Sequence, residues 1–138
     1  MQATQQHSNP PALANLAAKG HFSSAVRVDD RVWLSGTVGC TPDGKPVEGM
    51  AAQARLAFEN LRMALAAAGA TLADVVEMTT FHTDLQGDMR AFFKVKDEFF
   101  PSNFPAWTAV GVTQLSFPGL LLEVRAVAVA GSGASHEE

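Results

Sequence analysis

The alternation of apolar and polar residues predicts a set of short strands. Strands are predicted over the apolar, β-branched segments at residues 24–28, 31–36, 75–84, 103–112 and 120–130. The first two are joined by Asp29-Asp30, which is typical of a β-hairpin with a tight polar turn. Pro118-Gly119 is a turn signal between the last two, so we expect these two strands to lie side by side in one sheet.

Two helices complete the pattern. Between Gly49 and Gly69 the apolar residues recur at helical spacing, at Ala54, Phe58, Leu61, Leu65 and Ala68. A second helix is predicted over residues 88–100, with a broad apolar surface that includes Phe92 and Phe93. Pro101 ends this helix because its ring cannot continue the helical backbone.

The order β-β-α-β-α-β-β predicts an α+β sandwich of two layers, with both helices on one face of a sheet. Its other face, which carries residues such as Val127 and Val129, would be a large exposed apolar patch in a monomer. We therefore expect copies of the chain to associate through the open face of the sheet.

The chain of 138 residues is 47% hydrophobic and 17% charged, as is common for a single globular domain. The predicted domain covers residues 21–131. It follows an N-terminal arm at residues 1–20, which contains Pro10-Pro11 and is expected to be mobile or partly docked, and it precedes a flexible polar tail at residues 132–138.

Charge and cysteine content exclude several classes of function. The net charge of −4 offers no basic face for nucleic acid. The single cysteine, Cys40, cannot form an intramolecular disulfide, which favours a reducing compartment, and it has no local activating group. Neither a secretory leader nor a bilayer-spanning run is evident. The sequence thus predicts a cytoplasmic protein without nucleic-acid or membrane partners.

Candidate chemistry begins with Glu123, which shares one strand face with Arg125 in a segment otherwise suited to burial. A carboxylate there is costly unless it is used or paired. Glu123 could therefore be catalytic, or it could pair with Arg125 or with an arginine of another subunit. His82 has no second ligand at metal spacing, so a hydrogen-bonded structural role is favoured over an acid or base role, and no metal site is predicted.

Several motifs together resemble the YjgF/RidA family, which is also labelled endoribonuclease L-PSP. The similar segments are residues 32–36, 52–61, 69–76, 84–85, 104–106, 122–124 and 126–128. The resemblance covers roughly residues 22–130 and implies a chorismate-mutase-like fold with one mixed sheet. It also implies a homotrimer whose pockets lie between subunits.

The resemblance further implies an activity. Members similar to this chain deaminate 2-aminoacrylate-type imines by adding water, without a metal or organic cofactor. Glu123 matches the glutamate that positions or activates this water. Ser35, Gly36 and Thr37 match residues that line the pocket floor with hydroxyl and backbone groups.

At four positions the chain departs from the pattern of the family, and one of them is Arg125, which replaces a residue that is often acidic. Trp107 stands where an arginine grips the substrate carboxylate, and an indole cannot replace that bidentate fork. Loss of such a clamp costs about 2–5 kcal/mol of binding. Phe22 replaces a frequent tyrosine, and Phe93 falls at the position of an asparagine. Phe22 and Phe93 are either pocket walls or simple packing residues.

These expectations lead to three functional hypotheses. The first is a cofactor-independent hydrolase of the deaminase type, acting on a reactive imine, enamine or conjugated carbonyl that is less acidic or larger than 2-aminoacrylate. In it Glu123 moves a proton, backbone groups near Gly36 and Gly111 hold the polarised atom, and Trp107 stacks on the substrate. Arg125 forms an interface ion pair or captures a substrate anion. The alternatives are a non-catalytic ligand-binding or chaperone-like trimer and a ribonuclease.

Overall fold

A computed structural model describes residues 3–133, and in this part of the chain seven strands form one sheet. The strands are β1 (Gln6–Ser8), β2 (Ala25–Val28), β3 (Arg31–Leu34), β4 (Thr37–Val38), β5 (Val75–His82), β6 (Ala106–Gly111) and β7 (Leu122–Val129). Their order is β1-β2-β3-β7-β5-β6, and β4 also pairs with β7. Strands β5 and β6 are parallel and all other pairs are antiparallel, so the sheet is mixed.

The helices are α1 (Ala14–Gly20), α2 (Met50–Ala67) and α3 (Met89–Phe99), with short 3-10 turns at Pro11–Leu13 and Leu72–Asp74. Helices α2 and α3 cover one face of the sheet. Between them the ring of Phe58 lies 5.2–5.8 Å from the rings of Phe92, Phe99 and Phe100. No helix within residues 3–133 is long and apolar enough to cross a membrane.

The two faces of strand β7 differ in burial. Its residues Leu122, Val124, Ala126 and Ala128 are buried under the helices, whereas the alternate residues, including Val127 and Val129, keep part of their surface exposed. The predicted α+β architecture with one open face is confirmed. The hairpin of β2 and β3 is confirmed as well, with Asp29 at a positive φ of 52° in its turn.

The prediction that the last two strands are neighbours is wrong. Strand β5 lies between β6 and β7, parallel to the first and antiparallel to the second. Helix α3 carries the chain from β5 to a parallel β6, as a crossover connection requires. The loop at residues 112–121 then passes β5 and delivers β7 to its other edge.

The burial of residues on β5 and α3 departs from simple periodicity. On β5 the register with β7 shifts between Val75 and Glu77, so Val75 is buried and Val76 is exposed. On α3, Phe93 was expected on the apolar surface and is 45% exposed, whereas Lys96 is only 6% exposed.

Both ends of the described chain are attached to the domain. In the arm, β1 pairs with β2, with His7 opposite Val26, so this segment is docked. At the other end, the N–H of Gly133 donates to Asp74 Oδ1 at 2.9 Å. The predicted tail therefore begins with anchored residues, and its remainder, residues 134–138, lies outside the described residues.

Gln53 on α2 connects two loops. Its Nε2 donates to the carbonyl oxygens of Val47 at 2.9 Å and Gly119 at 2.8 Å. Its Oε1 accepts from the N–H of Leu121 at 2.8 Å. This buried side chain thereby fixes the segment that leads into β7.

Candidate functional site

A cavity of about 620 Å³ brings together much of the predicted site. Glu123 and the Ser35-Gly36-Thr37 bend line its floor, and Phe22 lines a wall. Ser35 and Gly36 lie between β3 and β4, and the register with β7 shifts by one residue across them, since Trp33 pairs with Val127 but Thr37 pairs with Val124. Phe22 follows directly after α1 and is 44% exposed.

Glu123 projects from β7 on the open face and lies against the backbone of Gly36. A side chain at Gly36 would overlap the carboxylate, because its Cβ would lie 2.6 Å from Glu123 Cδ. Glu123 is half-buried, and this burial raises the pKa of its carboxyl group. Within residues 3–133 its carboxylate has no hydrogen bond or ion pair, so the alternative of a pair with Arg125 is not realised inside the protomer.

The hydroxyl groups of Ser35 and Thr37 already donate hydrogen bonds to backbone carbonyl groups. Ser35 Oγ donates to the carbonyl oxygen of Ser23 at 2.6 Å, and Thr37 Oγ1 donates to that of Ala57 at 3.0 Å. These hydrogen bonds hold the bend in place. Toward a ligand, the two hydroxyls therefore offer lone pairs rather than protons.

Sequence reasoning missed several lining residues, namely Lys19, Ser24, Asn60, Ser116 and Phe117. They come from α1, the start of β2, α2 and the loop before β7, which are far apart in sequence. Asn60 is the one with a usable signal, since it and Gln53 are the two amides among the apolar buried positions of α2. It is buried and donates Nδ2 to the carbonyl oxygen of Val38 at 2.9 Å.

Trp107, Phe93 and Gly111 do not line this cavity. Trp107 pairs with Met78, and its indole N–H donates to Thr80 Oγ1 at 2.9 Å on the helix-covered side of the sheet. Gly111 lies at the end of β6, opposite His82. Glu123 alternates with buried Val124 and so faces the other side. One protomer therefore does not bring Trp107 and Glu123 together.

Trp107 belongs instead to a second group at the β6 edge, which we call the aromatic cluster: Phe93, Lys96, Phe104 and Trp107. The rings of Phe93 and Trp107 have centroids 5.2 Å apart. Lys96 Nζ lies 4.6 Å from the Trp107 ring, 5.6 Å from Phe104 and 5.9 Å from Phe93. The cluster combines one cation with three aromatic faces.

Two other candidates, His82 and Cys40, are buried and do not line the cavity. His82 is fully buried, its Nε2 lies 2.7 Å from Thr80 Oγ1, and burial lowers the pKa of its imidazole although the carboxylate of Asp88 opposes this. Cys40 is buried, and burial, aided by the charge of Asp43, raises the pKa of its thiol. Residues 3–133 contain no group of three His, Cys, Asp or Glu side chains able to hold a metal ion.

Comparison with known proteins gives consistent results. The profile of the family described as endoribonuclease L-PSP matches residues 12–130. The Escherichia coli K12 protein named RutC family protein YjgH is 41% identical over 120 residues, covering 86% of this chain and 90% of that protein. A human protein named 2-iminobutanoate/2-iminopropanoate deaminase is 36% identical over 116 residues, covering 83% of each chain. The solved structure of protein YJGH superimposes with a TM-score of 0.85 at 38% identity, over 91% of this chain and 96% of that one.

Proposed function

Because the chain belongs to the endoribonuclease L-PSP family, also called YjgF/RidA, we propose that it is a cofactor-independent hydrolase that deaminates a reactive imine or enamine. The proposal depends mainly on the environment of the Glu123 carboxylate. Glu123 is a half-buried carboxylate with a raised pKa, without a partner in the described chain, at the floor of a cavity of about 620 Å³. Because its pKa is raised, such a carboxyl group is better suited than an ordinary one to act as both acid and base.

The proposed reaction has two steps. In the first, Glu123 takes a proton from water while the oxygen adds to the C=N carbon, and the nitrogen takes a proton from solvent to give a carbinolamine. In the second, Glu123 gives its proton to that nitrogen, the C–N bond breaks and ammonia leaves, while the hydroxyl oxygen releases its proton to solvent and forms a carbonyl. Water and imine are consumed, and a carbonyl compound and ammonia are produced.

The complete site is proposed to form between protomers of a homotrimer. The open face of the sheet carries half-exposed apolar side chains such as Val127 and Val129, which a second copy would cover. In this assembly the aromatic cluster of one protomer would close the Glu123 cavity of the next. Glu123 of one protomer and Trp107 of the other, both predicted from the sequence as site residues, would then contact the same substrate.

Trp107 limits which substrates fit this proposal. The single N–H of its indole already donates to Thr80, so toward a ligand it offers an aromatic face and no donor. A substrate with an apolar or aromatic part gains from that face. We expect 2-aminoacrylate, which lacks such a part, to be turned over slowly.

The experiment measures ammonia release from imines generated in situ by an amino-acid oxidase, with alanine and phenylalanine as precursors. We expect the imine of phenylalanine to be hydrolysed faster than that of alanine. Glu123→Gln should lower kcat by roughly 10²- to 10⁴-fold. The matched control is Glu48→Gln, which removes an exposed carboxylate outside the cavity and should leave kcat unchanged.

Equal ammonia release by wild type and Glu123→Gln would contradict the proposal and favour a non-catalytic ligand-binding trimer. A ribonuclease, as the family description suggests, is disfavoured by the net charge of −4, because RNA phosphates attract a basic surface.

A further inference from the structure

We propose that Lys96 and the rings of the aromatic cluster form an anion site that binds the carboxylate of an aromatic acid. The site lies at the β6 edge of the sheet, where α3 supplies Lys96 and Phe93, β6 supplies Trp107, and the loop between them supplies Phe104.

The first argument is the missing counterion. Lys96 is only 6% exposed, and a lysine this deeply buried is rarely left without an anionic partner. The ion pairs among residues 3–133 join Arg27 to Asp30, Lys45 to Asp43, Arg55 to Glu98 and Arg62 to Glu59. Glu98, which is close to Lys96 in sequence, is thus already paired, and Lys96 has no anion of its own in this part of the protein.

The second argument is how the ammonium is held. Three rings within 6 Å attract the cation through their negative faces and fix its position. They accept no conventional hydrogen bonds, so the N–H donors of Lys96 lack an acceptor among the described residues.

The ammonium is not completely enclosed. The fully buried side-chain atoms without a hydrogen-bond partner in the described chain are Ser24 Oγ, His82 Nδ1 and Asp88 Oδ1. Lys96 Nζ is not one of them, so it keeps some contact with solvent although the residue is only 6% exposed. We place the anion at this accessible part of the ammonium.

The surrounding surface selects the rest of the ligand. Phe104 is 65% exposed and Phe93 is 45% exposed, which leaves open aromatic faces beside the cation. A flat apolar group can lie on these rings while its charged end contacts Lys96. One ammonium is a compact point charge, so it suits a monoanion such as a carboxylate.

That this anion is the substrate itself rests on the proposed function, in which the aromatic cluster closes the Glu123 cavity of a neighbouring protomer. In that case Lys96 is a specificity-determining residue. The expected substrate is then an aromatic acid, such as the imine of phenylalanine.

The test is calorimetric titration of the full-length protein with benzoate, which cannot be deaminated, and with benzamide as its neutral analogue. Benzoate should bind at least tenfold more tightly than benzamide. Lys96→Met keeps the length of the side chain and should weaken benzoate binding by roughly 10- to 100-fold, with little effect on benzamide. Lys94→Met, at an exposed position of the same helix, should leave both affinities unchanged.

Benzoate binding that is absent, equal to that of benzamide, or unaffected by Lys96→Met overturns the inference. If Lys96→Met does not fold, the test uses the NMR resonances of the lysine Cε groups in the wild-type protein. Benzoate must then shift the resonance of Lys96 and leave that of Lys94 unchanged. Because benzoate binding requires no turnover, failed ammonia release with intact benzoate binding would overturn only the proposed function.

Discussion

The backbone of Gly36 lies directly against the carboxylate of Glu123, and the two residues leave no space for a side chain between them. The contact arises because the chain bends between β3 and β4 while both strands pair with β7. The position of the proposed acid and base therefore depends on a glycine in a neighbouring strand segment.

Gly36→Ala should displace this carboxylate and lower kcat for ammonia release by about 100-fold, since a shift of about 1 Å at a reacting group has effects of this size. Thermal unfolding should show a smaller loss, about 1–3 kcal/mol from overpacking. Unchanged kcat in a folded variant would show that Glu123 does not act from this position.

The pH dependence of activity should report on Glu123. Burial raises the pKa of its carboxyl group above the ordinary value of 4.5, and the base form is the carboxylate, so kcat should fall as pH drops through this raised pKa. The acid limb of the pH profile of kcat should therefore have its midpoint above pH 4.5. A midpoint at or below that value would contradict the assignment.

The same shift predicts that Glu123 destabilises the fold at neutral pH. A raised folded-state pKa contributes stability below the unfolded pKa, and this contribution is lost as pH rises through the folded pKa. Glu123→Gln should therefore raise the melting temperature at pH 7, and the gain should vanish in acid, where the wild-type side chain is protonated. Scanning calorimetry at several pH values tests this.

Asp74 should show the opposite dependence. Burial alone raises the pKa of its carboxyl group, but N–H donors that include those of Gly133 and Thr71 outweigh this and lower the pKa. Its contribution to stability is present above the unfolded pKa and is lost as pH falls through the lower, folded pKa. Asp74→Ala should cost about 1.5–3 kcal/mol of unfolding free energy at pH 7, and less in acid. An equal cost at both pH values would be inconsistent with an ionised Asp74.

Gln53→Leu should destabilise the protein by about 2–4 kcal/mol, because it leaves two carbonyl groups and one N–H without their partner. Urea unfolding measures this difference. Gln114→Leu is the matched control, since it makes the same change at an exposed position of the loop before β7, and it should cost little. Similar losses in both variants would mean that the Gln53 hydrogen bonds do not matter.

The open face of the sheet can be tested with a charge. Val127→Lys should prevent trimer formation and reduce ammonia release, because an unpaired ammonium would be buried at the proposed interface. Ala52→Lys, on the exposed side of α2, should leave the trimer intact. Analytical ultracentrifugation gives the oligomeric state, and a Val127→Lys variant that remains trimeric would rule out this interface.

Local features of the fold were predictable from the sequence. The hairpin of β2 and β3 and the helix α2 depend on a turn pair and on helical spacing, both contained in short segments. The order of β6, β5 and β7 was not predictable from the sequence, because strand pairing joins segments that are distant along the chain. Lys96 was overlooked since residue type alone assigns lysine to the surface, whereas here three rings from different elements hold it.

From the sequence we could predict the part of the candidate site that lies within one protomer. Glu123, Phe22 and the Ser35-Gly36-Thr37 segment line one cavity. Trp107 lies on the other side of the sheet, and alternation along β6 and β7 fixes this once the register is known. The predicted role of Trp107 therefore depends on a second protomer.

The location of β7, the last strand within residues 3–133, in the middle of the sheet has a consequence for biosynthesis. A nascent chain that ends before Leu122 has β3 and β5 but not the strand that joins them, so its hairpin and its crossover unit cannot share a core. A ribosome must therefore release almost the whole domain before the sheet can close. Until then, the apolar edges of β3 and β5 are available to chaperones.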